Sequence, residues 1–270
     1  MTTTFPSLAD ALAVDVRREH GRHVVDATVH PGYDVFTIPH GGYLAALAGS
    51  AVLAATEQPD LFTITTHFLR KASEGPIRFE VDIVGGSRRF TSVHARASQD
   101  GEAVLSVIAS VGDRSGMEGP SWQRAAPWQP DEAALAPPAG TEGLPFQPPN
   151  VAARFALRPD VPSFAFASGE VNGDATLRAR LEVDEPDQLA AIVACDVTPP
   201  AVWNALGMQG WVPTIELTAH VRARPAPGPM SVVATTDHVT DGFLDEDALV
   251  HDGTGTLIVQ SRQLARWTGA

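Results

Sequence analysis

Two kinds of apolar pattern follow one another along this chain and predict its elements. From about Gly41 to Glu57, small apolar residues fill nearly every position, which predicts a long helix wrapped on all sides. Apolar and polar residues then alternate with period two, as expected for antiparallel strands with one buried face. Asp100-Gly101 and Asp252-Gly253 lie between such runs and are hairpin signals.

The same order of elements occurs twice. TTHFLRKASEGPIRF begins at Thr65 and TAHVRARPAPGPMSV begins at Thr218. At this constant offset of 153 residues, without gaps, His67 falls on His220. We interpret the match as an internal duplication.

Each half is therefore predicted to contain one long helix followed by several antiparallel strands. The second helix is expected from Pro186 onward, with a break at Pro199-Pro200. The predicted fold class is α+β, a double hotdog in which two curved antiparallel sheets each wrap a helix. The predicted domains are residues 1–118 and 151–270, joined by a Pro-rich linker over 119–150.

Composition narrows the possible partners. The formal net charge of −13 argues against nucleic acid and against an anionic membrane, while a local basic patch still permits a small anionic substrate. The single cysteine, Cys195, excludes an internal disulfide. Without a signal peptide or an apolar run of ~20 residues, we expect a cytoplasmic protein. The sequence contains no metal-ligand spacing and no nucleotide fingerprint, so we expect neither a metal nor a cofactor.

Three motifs together resemble a known family. HGGY opens the first helix and is followed by TTHFLRKA, and VPTIELTAHVRARP precedes TDGFLDEDALVHDGTGTLIVQSRQLARW. These motifs resemble the type II (TesB-like) acyl-CoA thioesterases, and the resemblance covers most of the chain outside the linker. It implies a double hotdog fold and hydrolysis of acyl-CoA thioesters to free acid and CoA.

The resemblance also implies a carboxylate, a threonine and a glutamine that hold and activate water. The matching positions are Glu216, Thr235 and Gln263, with Thr236 in place of Thr235 if the register shifts by one. Better-known members carry aspartate where this chain has Glu216. One extra methylene displaces the carboxylate, and a misplacement near 1 Å can cost ~100-fold in rate.

The helix start is the predicted substrate-binding element, comprising His40, Gly41, Gly42 and Tyr43. The first amides of a helix lack internal acceptors, so those of Gly42 and Tyr43 are expected to bind the thioester oxygen. The alternative is that the two glycines only form a tight turn. His40 is expected to pack or to form a local hydrogen bond.

Glu216 is the expected general base or water-orienting group. Strand alternation places it on the face of Thr214 and Thr218, opposite Ile215 and Leu217. The second half lacks a His-Gly-Gly before its helix, and the first half has Thr63 where the second has Glu216. We therefore expect one composite site per chain, built from both halves.

Other interpretations remain open. The chain can also be interpreted as a non-catalytic acyl-CoA binding protein on the thioesterase scaffold. A MaoC-like enoyl-CoA hydratase is another, because Asp34, Pro39 and His40 resemble its motif with a spacing one residue too long. We expect two alternatives for the basic pairs Arg70-Lys71 and Arg88-Arg89. They either contact the phosphates of CoA or are exposed to solvent at strand ends. A homodimer is expected.

Overall fold

The computed structural model describes residues 5–123, 127–141, 148–183 and 185–269. Parts of the predicted linker, residues 124–126 and 142–147, lie outside the described residues. In the described ranges the helices are α1 Leu8–Ala11, α2 Gly41–Thr56, α3 Asn150–Arg154, α4 Gln188–Ala194 and α5 Trp203–Leu206. Single 3₁₀ turns occupy Val161–Ser163 and Ala165–Ser168. The strands are β1 Val14–Glu19, β2 Arg22–Val29, β3 Asp34–Val35, β4 Ile38–Pro39, β5 Asp60–Phe68, β6 Gly75–Gly86, β7 Phe90–Gln99, β8 Glu102–Gly112, β9 Arg158–Pro159, β10 Thr176–Leu181, β11 Thr214–Val221, β12 Met230–Thr235, β13 Val239–Thr240, β14 Phe243–Asp252 and β15 Leu257–Arg266.

Thirteen of the described strands form one antiparallel sheet, and β3 pairs with β4 separately. The sheet runs in the order β1-β2-β6-β7-β8-β5-β11-β15-β14-β12-β10-β9, with β13 added beside β14. The strands of each half stay together, and the halves meet where β5 pairs with β11. The predicted class, a double hotdog of mainly antiparallel strands around central helices, is confirmed.

The junction between the halves has a pseudo-two-fold relation. Thr65 lies opposite Thr218, with their hydroxyl oxygens 2.8 Å apart. His67 lies opposite Glu216. Two residues that occupy the same place in the repeat therefore pair with each other, which agrees with the offset of 153 residues. No helix among the described residues is long and apolar enough to cross a bilayer.

Helix α2 is the buried helix that the small apolar residues predicted. Most of its residues are buried, and Glu57 caps its C-terminal end in the left-handed conformation (φ 54°). A uniformly apolar helix is stable only where other elements cover all its faces. Here the sheet of the first half and helix α4 cover it.

The second helix is shorter than predicted. Asp187 caps α4, whose last residue is Ala194, so the helix has 7 residues against 16 in α2. The chain leaves the helix before Pro199-Pro200 and forms the separate turn α5. The prediction of a long helix in each half is therefore wrong for the second half.

A β-bulge lies near the start of β11. Its pairing with β15 shifts between Thr214 and Glu216, which leaves Ile215 as the extra residue. A bulge reverses the alternation of side chains beyond it. Thr214 consequently points to the inner face and Glu216 to the outer face, so the prediction that they share a face is wrong.

Candidate active site

A small cleft opens in the second half, between the segment after α4 and strands β11, β14 and β15. One wall is polar and the other is apolar. The lining residues are Asp196, Thr198, Pro200, Val212, Thr214, Leu244, Glu246, Gln263 and Ala265.

Gln263 is the centre of the polar wall. Its Nε2 donates to Oδ1 of Asp196 at 3.2 Å and to Oε1 of Glu246 at 3.1 Å. Its Oε1 accepts a hydrogen bond from the Thr214 hydroxyl at 2.6 Å. Both amide hydrogens are thus engaged, and the orientation of the amide group is fixed.

Asp196 joins the two halves of the chain. Its Oδ2 accepts a hydrogen bond from the Gly42 amide at 2.7 Å and lies 3.2 Å from Nε2 of His40. The His40 Nδ1 accepts from the Tyr43 amide at 3.2 Å, so Nε2 carries the hydrogen and donates it to the Asp196 backbone carbonyl at 2.7 Å. The Asp196 carboxylate therefore lies at the positive end of α2, where a helix stabilises negative charge.

These contacts change the expected role of the helix start. The amides of Gly42 and Tyr43 already have acceptors within the protein, so they are not the free oxyanion donors that the sequence predicted. Tyr43 itself points into the first-half core, where its hydroxyl donates to the Ala11 carbonyl at 3.0 Å. Burial raises the pKa of Tyr43 to about 12.

The two glycines allow a close approach between helices. A Cβ on Gly41 would lie 2.9 Å from Oδ2 of Asp196, and one on Gly42 would lie 2.9 Å from the Cβ of Asp196. Any side chain here would push away the segment that follows α4. Neither glycine has a positive φ, so close packing rather than turn geometry explains the pair.

Glu246 is a second carboxyl group in the cleft. It is 5% exposed, and its Oε2 accepts a hydrogen bond from the Ala201 amide at 2.8 Å. Burial raises the pKa of Glu246 to about 8, and the nearby charge of Asp196 adds to the effect. No local pattern in the sequence marks Glu246 as a site residue.

Of the three predicted catalytic residues, the structure places only Gln263 in the cleft. Glu216 lies on the outer face, where its carboxylate accepts a hydrogen bond from the Thr218 hydroxyl. Thr235 ends β12 and pairs with Asp247 of β14, and neither it nor Thr236 lines the cleft. Catalytic roles for Glu216 and Thr235 therefore stay predictions, and neither residue lines this cleft.

A carboxylate and a threonine hydroxyl do line the cleft beside Gln263, and they belong to Asp196 and Thr214. The sequence offered one signal for Asp196, a lone acid directly after an apolar helix. Thr214 gave no usable signal, because strand alternation assigned it to the wrong face and only the bulge at Ile215 turns it inward.

The other candidate residues lie apart from the cleft. Asp34 pairs with Pro39 in the β3-β4 hairpin, and its Oδ1 accepts a hydrogen bond from Asn150 at 2.8 Å. Arg70 is exposed and pairs with Glu102. Within the described ranges, no three His, Cys, Asp or Glu side chains are grouped so that they could hold a metal ion.

Comparisons with known proteins agree with this architecture. The family model for the acyl-CoA thioesterase C-terminal domain matches residues 125–266, and the model for the N-terminal domain matches residues 29–112. Uncharacterized protein Rv0499 of Mycobacterium tuberculosis is 28% identical over 249 residues, which is 84% of each chain.

Solved structures are similar over nearly their whole length. A Thermobifida fusca protein, provisionally assigned as a thioesterase II, has a TM-score of 0.82 at 28% identity and covers 96% of both chains. A hot dog fold protein from Alicyclobacillus acidocaldarius has a TM-score of 0.81 at 23% identity, covering 97% of this chain and 98% of its own. Acyl-CoA thioesterase II TesB2 from Mycobacterium marinum has a TM-score of 0.71 at 15% identity, covering 98% and 99%.

Proposed function

Because this chain belongs to the acyl-CoA thioesterase family, we propose that it hydrolyses a fatty or related acyl-CoA to the free acid and CoA at the Asp196 cleft. The observation that carries the proposal is the Gln263 amide, which holds the Asp196 carboxylate and the Thr214 hydroxyl beside one open space. A carboxylate, a hydroxyl and an amide are the groups that activation of water requires.

Asp196 and Thr214 together hold the attacking water. The Thr214 hydrogen is donated to Gln263, so the Thr214 oxygen remains as an acceptor. A water molecule that donates one hydrogen to Asp196 and the other to Thr214 has a lone pair free to attack a carbonyl carbon. Asp196 takes the proton as the new C–O bond forms.

The remaining steps follow from thioester chemistry. The tetrahedral intermediate collapses, the C–S bond breaks, and the thiolate leaves with the proton that Asp196 had accepted. The apolar wall, formed by Val212, Leu244 and Ala265, would cover the first carbons of the acyl chain. Covering the acyl chain removes apolar surface from water, which stabilises the bound substrate by roughly 25 cal/mol per Å² buried.

The decisive experiment measures thiol release from a chain-length panel of acyl-CoAs. Asp196→Asn keeps the size of the side chain and removes the base, so we expect kcat to fall at least ~1000-fold, with KM changed by less than about threefold. Glu216→Gln is the matched comparison because the family resemblance assigned the role to Glu216. It should keep activity within about twofold.

Other outcomes would point elsewhere. Full activity in Asp196→Asn together with loss in Glu216→Gln would restore the assignment made from the sequence. Tight acyl-CoA binding without turnover by the unmodified protein would support a binding module. Addition of water to an enoyl-CoA without thiol release would support a hydratase.

The quaternary structure and the domain boundaries stay predictions. We propose a homodimer, which light scattering of the purified protein tests directly. The division at residues 118 and 151 predicts that limited proteolysis first cuts within residues 119–150.

A further inference from the structure

The proposed hydrolysis leaves one requirement unmet, which is a donor for the carbonyl oxygen. Negative charge develops on that oxygen as water attacks, and enzymes stabilise it with preorganised hydrogen-bond donors. The amides of Gly42 and Tyr43 are bonded to Asp196 and His40. Both Gln263 amide hydrogens are also engaged. The donor must therefore come from another group in the cleft.

Two side chains of the cleft remain as donors. The Thr198 hydroxyl has no hydrogen-bond partner among the described residues. Glu246 lines the same cleft and has no other role in the proposed mechanism. In its acid form a carboxyl group is a stronger hydrogen-bond donor than an alcohol.

The contacts of Glu246 determine where an acid proton would point. Its Oε1 accepts from Gln263 and its Oε2 accepts from the Ala201 amide. Both described protein contacts are donors, so neither can accept the acid proton. The acid proton of Glu246 is therefore available for a hydrogen bond to an acceptor within the cleft, such as a substrate oxygen.

The charges around Glu246 favour the acid form. Asp196 faces it from the segment after α4, and Asp245 is its neighbour on β14, so both add negative charge. Burial is the largest cause and raises the pKa of Glu246 to about 8, although the hydrogen bonds from the Ala201 amide and from Gln263 act to lower it. The fold does not require a carboxyl group here, because β7 carries the fully buried Val93 at the equivalent position in the first half.

We propose that Glu246 is a second catalytic carboxyl, which in its acid form donates a hydrogen bond to the thioester carbonyl oxygen while Asp196 takes the proton of water. This inference rests on the proposed thioesterase activity. The hydrogen bond strengthens as the C–O bond to water forms and charge collects on the carbonyl oxygen. When the C–S bond breaks, the Asp196 proton goes to the leaving sulfur, and Glu246 keeps its own proton throughout.

The test compares kcat between pH 5.5 and 9.5 for the unmodified protein, Glu246→Gln and Glu246→Leu. The unmodified protein should lose activity as pH rises through about 8, where Glu246 ionises. Glu246→Leu has no donor and should lose 100-fold or more in kcat at pH 7, with little change in KM. Glu246→Gln keeps an N–H donor, so it should retain more activity than Glu246→Leu and lack the decline above pH 8.

Two controls separate this role from folding and from the rival donor. Thermal unfolding of each variant identifies any that fails to fold, and Thr198→Val removes only the Thr198 hydroxyl. The proposal is overturned if folded Glu246→Leu stays within threefold of the unmodified protein, or if folded Glu246→Gln is as inactive as Glu246→Leu. Persistence of the high-pH decline in Glu246→Gln, or a greater loss in Thr198→Val than in Glu246→Leu, also overturns it.

Failure of this inference is distinguishable from failure of the proposed function. If the unmodified protein releases thiol and Asp196→Asn does not, the hydrolase assignment holds whatever the Glu246 variants do. If the unmodified protein releases no thiol from any acyl-CoA, the proposed function itself fails.

Discussion

The two halves share one backbone plan but differ in what they bury. In the second half, three inward positions carry the polar residues of the cleft, whereas the equivalent positions of the first half are apolar and fully buried. The equivalent pairs are Leu61 and Thr214, Val93 and Glu246, and Ala109 and Gln263. The hotdog scaffold therefore accepts either a dry core or a polar site at the same place.

Strand register establishes the equivalence. Val93 pairs with Ala109 in the first half, as Glu246 pairs with Gln263 in the second. Both halves also carry a bulge one residue past the inward position, at Phe62 and at Ile215. The bulge is thus part of the repeated scaffold, and only the side chains differ.

The helices explain why this cleft lies in the second half. Helix α2 continues for 16 residues and fills its half, whereas α4 stops after 7. The chain that leaves α4 carries Asp196 to the start of α2 and then forms a wall of the cleft with Thr198 and Pro200. A shorter helix therefore provides both the carboxylate and the open space.

A carboxyl group in the apolar core of the first half should destabilise the protein, unlike Glu246 in the second half. Val93→Glu has none of the donors that surround Glu246, so we expect it to lower the free energy of unfolding by about 3–5 kcal/mol. Urea unfolding measures the loss. His94→Glu, one residue along on the outer face, is the control and should change stability by less than about 0.5 kcal/mol. Equal effects of the two variants would contradict the comparison.

The second test concerns the pH dependence of stability. The pKa of Glu246 in the fold, about 8, lies above its ordinary value of 4.5, so the folded state binds more protons between these values. The contribution of Glu246 to the free energy of unfolding is complete below about pH 4.5. It is lost as pH rises to about 8, by at most roughly 1.4 kcal/mol per pH unit.

Glu246→Leu should remove this slope. Unfolding in urea at pH 5, 6, 7, 8 and 9 gives the difference in stability between the variant and the unmodified protein. We expect that difference to shift in favour of the variant up to about pH 8 and then to level off. A constant difference across the range would show that Glu246 titrates normally in the fold.

The third test concerns the contact between the halves. In Gly42→Ala the new Cβ would lie 2.9 Å from the Asp196 Cβ and 3.0 Å from the Val193 carbonyl oxygen. Such overpacking costs about 1–3 kcal/mol and displaces the Asp196 carboxylate, so unfolding free energy and kcat should both fall. Gly85→Ala meets no atom within 4 Å and should leave both unchanged, so a matching loss there would refute the packing argument.

The sequence predicted the scaffold better than the site. Period-two alternation, the hairpin at Asp100-Gly101 and the buried helix from Gly41 depend on local patterns, and the structure contains each of them. At the start of that helix the structure has the carboxylate of Asp196, whereas the sequence predicted Glu216. Glu216 was assigned by its position in a motif, and alternation could not foresee the extra residue at Ile215.

Apolar periodicity and turn residues act over a few neighbouring positions, so they predict two similar halves that each bury a helix under antiparallel strands. Which polar groups meet depends on tertiary packing. Asp196 and Gly42 are 154 residues apart, and their contact depends on where α4 ends and on two glycines that permit close packing. Contacts between residues so far apart in the sequence depend on how the helices and strands pack, and no short stretch of sequence encodes them.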